Sequence, residues 1–149
     1  MLELTAEGAL EYARSRGLIG HGAAARVEKL AGGVSCEVLR IHTPDAEPIV
    51  LKQALPKLRV AAEWYSDPAR IEREVLVMGL ARKALGPQHV PQVLDFDPEN
   101  FIYAMASAPL TAVNWKRELL AGRLDERLAA QCGMLLARFH AIVPEGHDA

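Results

Sequence analysis

The sequence predicts an α+β fold in which five strands form an antiparallel sheet around one helix, followed by a helical tail. Three observations carry that reading. The turn signals Thr43-Pro44-Asp45-Ala46-Glu47-Pro48 and Asp97-Pro98-Glu99-Asn100 each separate two apolar segments, as expected where antiparallel neighbours are joined. Between them Ile71, Val75, Met78 and Leu85 recur near helical period, and Gly86-Pro87 halts the run. Beyond residue 111, Leu128, Cys132, Leu135, Phe139 and Ile142 make one long apolar stripe.

Taken in order, Thr5 is placed to cap a first helix with Ala9, Leu10 and Ala13 near one face, and Gly17 to end it in a left-handed conformation. Residues 24–30 form a first strand. Gly32-Gly33 breaks the chain before a second strand over 34–41. Pro44 fixes the backbone of the 43–48 turn, and a third strand runs over 49–55. Residues 58–65 read as a partly helical connection. Asp67 then offers an N-cap, with Pro68 at the first helical position. A fourth strand covers 93–96 and a fifth 101–106. From Thr111 the chain is helical, pauses at Gly122 and resumes in the striped helix, while residues 144–149 read as a frayed end.

A chain of 149 residues, half of them apolar, can bury a core of ordinary size. The formal charge of -2 is spread along the length, without the dense basic block of a nucleic-acid binder. Cys36 and Cys132 lack metal-ligand spacing and read as reduced and structural. The five histidines are dispersed and form no HExxH element, and His140 reads as a packing or helix-terminal residue. The N-terminus MLELTAEGALEY has neither a basic leader nor an apolar core, and no apolar run reaches membrane-spanning length, so the cytosol is the expected compartment and neither membrane nor nucleic acid an expected partner.

Lys52 is the outstanding candidate for chemistry, because it interrupts the apolar strand Ile49-Val50-Leu51-Lys52-Gln53-Ala54. Burying an ammonium unpaired costs several kcal/mol, so it needs an anion: a phosphate, a carboxylate, or both. Glu72 and Glu74 flank the apolar stripe of the following helix and can supply the carboxylate. The alternative is a lysine whose stem packs on the sheet while its charge reaches solvent. Gly32 and Gly33 allow backbone amides to approach phosphate oxygens, with Ser35 adding a hydroxyl; equally, they can form a hairpin turn without a ligand. No GxxxxGK[ST] element or dinucleotide-binding glycine run is present, and Ser35 lacks the setting of a nucleophile elbow. The segment Tyr103-Ala104-Met105-Ala106-Ser107-Ala108-Pro109 offers peptide groups and small side chains, either as room for a flat base or as a strand entering a linker.

The segments LAGGVSCEV, VLKQAL, RIEREVLVM, FIYAMASAP and GMLLARFH, in this order, resemble the N-terminal half of the aminoglycoside phosphotransferase and methylthioribose kinase superfamily, the protein-kinase-like small-molecule kinases. The stretch LKQALPKLRVAAEWYSDPARIERE looks closest to the methylthioribose-kinase side. The resemblance implies a kinase-like nucleotide-binding lobe over 23–108, preceded by a helical extension over 1–22 and followed by helices of a second lobe over 109–149. It matches Gly32, Gly33 and Ser35 to the phosphate-covering turn, and Lys52 to the strand lysine that contacts nucleotide phosphates. Glu74 matches the lysine's glutamate partner, with Glu72 as runner-up, and Met105, Ala106 and Ala108 belong to the hinge that receives adenine. Cys36 stands where many relatives have a polar residue.

The resemblance implies ATP as cofactor and, in the complete enzyme, Mg²⁺ and a small hydroxylated acceptor. An HGD-like catalytic loop and a later metal-binding aspartate do not follow FHAIV, so the chain is expected to be a truncated, catalytically incomplete part of a phosphotransferase. The alternatives are a non-catalytic nucleotide-sensing or protein-interaction module and a structural module that no longer binds ATP. The striped C-terminal helix is expected to seek a partner surface, either a second copy or the missing lobe.

Overall fold

Alternation along the strands decides which helix covers which face of the sheet. The computed structural model describes residues 2–31 and 33–142. Their order is α1 (Ala9–Ser15), β1 (Arg26–Lys29), β2 (Cys36–Thr43), β3 (Ala46–Ala54), α2 (Arg70–Leu85), β4 (Val93–Asp97), β5 (Ile102–Ala106), α3 (Trp115–Leu120) and α4 (Glu126–His140). The expected α+β fold is present: a five-stranded sheet, ordered β1-β2-β3-β5-β4, with every neighbouring pair antiparallel. This arrangement is consistent with a kinase-like N-terminal lobe.

Leu39, Ile41, Leu51, Ile102 and Ala104 point to one face and are buried against Leu4, Ala9, Tyr12 and Ala13 of the N-terminal segment. Residues one step out of phase, Ala54 and Tyr103, point to the other face and meet Ile71 of α2, with Val75, Met78, Phe96 and Met105 around them. Each large apolar side chain removed from water contributes about 1.5–3 kcal/mol, so a helix on each face stabilises both sides of the sheet.

The helix ends follow local chemistry. Thr5 closes the turn ahead of α1, its hydroxyl accepting from Gly8 N at 3.1 Å and its carbonyl from Ala9 N at 2.9 Å. Gly17 has φ 69, and Leu18 N returns to Ala13 O at 2.9 Å, as anticipated for a left-handed stop. α2 begins at Arg70, later than Pro68, because Asp67 spends its carboxylate on Ala69 N in a preceding turn. It ends at Gly86, with φ 99.

Four further expectations are corrected. The second strand runs two residues later, because the Val34 and Ser35 carbonyls bond to Arg59 N and Leu55 N instead of to β1. The 43–48 turn contracts around Pro44 and Asp45, with Thr43 opposite Ala46 after a register slip. Residues 58–65 contain no helix: Leu58 N bonds to Trp64 O at 2.9 Å, Ser66 N bonds to Pro56 O at 2.9 Å, and Lys57 bridges Tyr65. A helix would need those same backbone groups. Finally, the tail is not helical from Thr111 but from Trp115, where the Asn114 side chain accepts from Arg117 N at 3.3 Å.

Gly122, with φ 74, separates α3 from α4, and Asp125 caps α4 by accepting from Arg127 N and Leu128 N. Leu128, Cys132, Leu135, Phe139 and Ile142 are half-buried, and α4 lies against α2. Cys36 and Cys132 are free thiols. Residues 144–149, expected to fray, lie outside the described residues.

Candidate functional site

The site is built on the α2 face of β3. Lys52 lies opposite Val38 on β2 and Tyr103 on β5, so its side chain shares their face. One turn into α2, Glu74 reaches down to the sheet and pairs with the Lys52 ammonium. Glu72, two residues earlier, is exposed in the first helical turn and belongs to another direction of the helix.

Tyr103 completes the arrangement. Its hydroxyl donates to Glu74 Oε1 at 2.9 Å, and the Lys52 Nζ sits 5.8 Å from its ring centroid. Burial, the adjacent Glu74 charge and this hydrogen bond all hold the phenol above its ordinary pKa. It therefore stays a neutral donor. The lysine is 21 % exposed and the glutamate 39 %, so the pair lies at an opening and not within the core.

Cys36 pairs with Ala54, two residues along β3 from Lys52. At about 3.3 Å per residue, the rung that starts the glycine turn is about 7 Å from the lysine's rung, on the same face. Gly33 and Val34 are exposed, and Ser35 is half-buried with its hydroxyl 3.8 Å from Cys36 Sγ. Gly32 lies outside the described residues. The turn is tied down on its far side: Ser35 O accepts from Leu55 N at 2.9 Å and from the Arg70 guanidinium at 2.6 Å, and Val34 O accepts from Arg59 N at 2.8 Å.

The remaining predicted positions divide between two places, Met105 on the lysine's face and Ala106 and Ala108 on a separate cleft. Met105 packs beside Tyr103 and Ile71, on the lysine's face. Ala106 pairs with Ile49, Ser107 N bonds to Pro48 O at 3.0 Å, and Ala108 is exposed. Residues 106–109 line a cleft of about 300 Å³ with Arg82 and residues 87–92. Among the described residues, no group of three or more His, Cys, Asp or Glu side chains is placed to hold a metal ion.

Sequence reasoning passed over Arg70, Tyr103 and Arg59 as individual contributors. Arg70 had a readable signal, since it stands four residues before Glu74 and so on the same helix face. The Arg59 contact had none, because it depends on how an irregular loop closes.

No family model matches the chain. The chain is 33% identical over 143 residues to the methylthioribose kinase of Pectobacterium atrosepticum, a match covering 91% of this chain and 35% of that protein. It is likewise 33% identical over 143 residues to the methylthioribose kinase of Pectobacterium carotovorum subsp. carotovorum, with the same coverage. With the methylthioribose kinase of Erwinia tasmaniensis it shares 31% identity over 142 residues, again across 91% of this chain and 35% of the relative. The chain thus spans about a third of the length of the curated relatives it matches. Similarity of this extent supports a kinase-like superfamily.

Proposed function

We propose that residues 23–108 form the nucleotide-binding lobe of an ATP-dependent small-molecule kinase. In this reading the glycine turn and Lys52 grip the ATP phosphates, Glu74 orients Lys52, and the strand end at Met105, Ala106 and Ala108 receives adenine. The observation that carries it is the Lys52–Glu74 pair, held at an opening on the sheet face to which the Cys36–Ala54 rung, next to Ser35, also belongs. A carboxylate beside the ammonium orients the lysine while leaving it donors for an anion.

The chemistry of transfer needs more than this. Developing charge on the phosphoryl group must be neutralised by a metal, and the acceptor hydroxyl must be aligned with it. The described residues do not fit the metal, since they bring no carboxylate cluster together. Our reading therefore assigns this chain the binding and orientation of ATP. The metal ligands and the acceptor contacts would come from a second lobe, to which α3 and α4 form the entrance. The methylthioribose kinases it resembles make a methylthioribose-like hydroxyl compound the first acceptor to try with a protein that carries both lobes.

Isothermal titration with ATP checks this reading. The wild-type chain binds ATP and Lys52→Ala loses about tenfold or more in affinity, the worth of a charge-assisted hydrogen bond, while keeping its cooperative unfolding transition. An unchanged ATP isotherm in the folded Lys52→Ala protein would remove the proposed contact.

A further inference from the structure

The guanidinium of Arg70 gathers backbone carbonyls from three parts of the chain. Its Nη2 donates to Ser35 O at 2.6 Å and to Leu55 O at 3.1 Å; its Nη1 donates to Asp67 O at 2.9 Å and to Ser66 O at 3.4 Å. One cation thereby joins the glycine turn, the end of β3 and the turn that opens α2. Glu74, four residues on, joins the same helix to Lys52 and Tyr103.

We propose that Arg70 is a positioning residue that fixes Ser35, at the β2 end of the glycine turn, to the helix carrying Glu74, so that Ser35 and Lys52 meet a polyphosphate in one fixed arrangement; this rests on the nucleotide-binding reading above. Position i and position i+4 of a helix lie one above the other, so the two anchors sit on one face, a turn apart. A shift of α2 cannot move Glu74 relative to the sheet without also pulling on Ser35. The planar fork matters because it serves several carbonyls at fixed angles, which a lysine ammonium on a flexible stem does not reproduce. Arg70 touches no phosphate in this scheme. It acts through Ser35, and its effect falls on the phosphate-dependent part of affinity alone.

The test uses the 149-residue chain and its Arg70→Ala and Arg70→Lys variants, with amide hydrogen exchange and titrations against ATP and adenosine, which carries no phosphate. We expect the amides of Leu55 and Arg59, which bond to Ser35 and Val34, to exchange about tenfold faster in Arg70→Ala. ATP affinity should fall about tenfold, adenosine affinity should stay within about twofold, and Arg70→Lys should lie between. Equal losses for ATP and adenosine would mark Arg70 as a general structural residue and overturn the inference. Unchanged exchange at Leu55 and Arg59 would overturn it whatever the ligand data. Should Arg70→Ala not fold, the same two comparisons in Arg70→Lys decide the matter. ATP binding that depends on Lys52 but not on Arg70 would defeat the coupling and leave the nucleotide site standing, whereas a wild-type chain that binds no ATP would end both.

Discussion

Tyr103 and Lys52 converge on a single oxygen, Glu74 Oε1, one from the phenol and the other from the ammonium. The carboxylate is therefore held from two strands, β5 and β3, and cannot swing toward solvent without breaking both contacts. Tyr103→Phe retains the buried ring and deletes only the donor. Because Glu74 is 39 % exposed, water replaces part of what is lost, and the cost should be about 1 kcal/mol. Urea unfolding at neutral pH checks it; a midpoint identical to wild type would mean that the hydroxyl contributes nothing.

The two glutamates of α2 should behave differently despite their spacing. Glu74→Gln removes the ion pair with Lys52, and under the nucleotide-binding reading lowers ATP affinity about tenfold. Glu72 is exposed in the first helical turn, where its charge favours the positive end of the helix dipole. Glu72→Gln should cost no more than about 0.3–1 kcal/mol of stability and leave ATP titrations unchanged. Equal effects of the two substitutions on ATP binding would contradict the assignment of Glu74 as the lysine's partner.

What the sequence revealed of this arrangement follows the range over which each signal acts. Hydrophobic period and turn chemistry are local, which is why five strands, the α2 helix and the Gly17, Gly86 and Gly122 stops were all legible. The choice between Glu72 and Glu74 was not, because it depends on which side of α2 meets the sheet, and Ile71, Val75 and Met78 leave both carboxylates on the margins of that face. The loop over 58–65 misled for a related reason. It is expected to be partly helical, yet its backbone groups pair with one another across a closed loop, leaving Trp64 and Tyr65 60% and 63% exposed. Contacts between residues far apart in sequence, such as Arg70 with Ser35 or Gln53 with Leu2, leave no periodic trace.

Asp97 illustrates how much such a hidden contact can carry. It is buried at the end of β4, where burial alone would raise its pKa; hydrogen bonds from the Asn100 side chain and backbone and from Tyr12 outweigh that and hold it below the ordinary carboxylate value. These bonds fasten α1 to the β4–β5 hairpin, as Tyr12 Oη donates to Asp97 Oδ2 at 3.1 Å. Asp97→Ala would leave the buried Tyr12 hydroxyl and both Asn100 N–H donors, backbone and side chain, without their acceptor, at a cost of about 2–4 kcal/mol. Chemical denaturation checks this, and a loss below about 0.5 kcal/mol would show that the α1 contact is dispensable.

Glu37 should govern part of the acid response. It is 4% exposed on β2, and burial alone would raise its pKa, but hydrogen bonds from Lys29 and Arg59, together with their charges, hold it below the ordinary glutamate value of 4.5. A carboxyl with a depressed folded pKa binds fewer protons when folded than when unfolded. Its contribution is therefore present in full above about pH 5 and declines as the pH falls through the folded pKa. Glu37→Gln removes that titration while Lys29 and Arg59, 61 % and 44 % exposed, can turn to water. The variant should be less stable than wild type at pH 7 by about 1–3 kcal/mol, and the gap should narrow as the pH is lowered from about 5 to 3. Urea midpoints measured across that range decide it. A gap that stays constant with pH would mean that Glu37 ionises alike in the folded and unfolded chain, and that its two cations do not hold it charged.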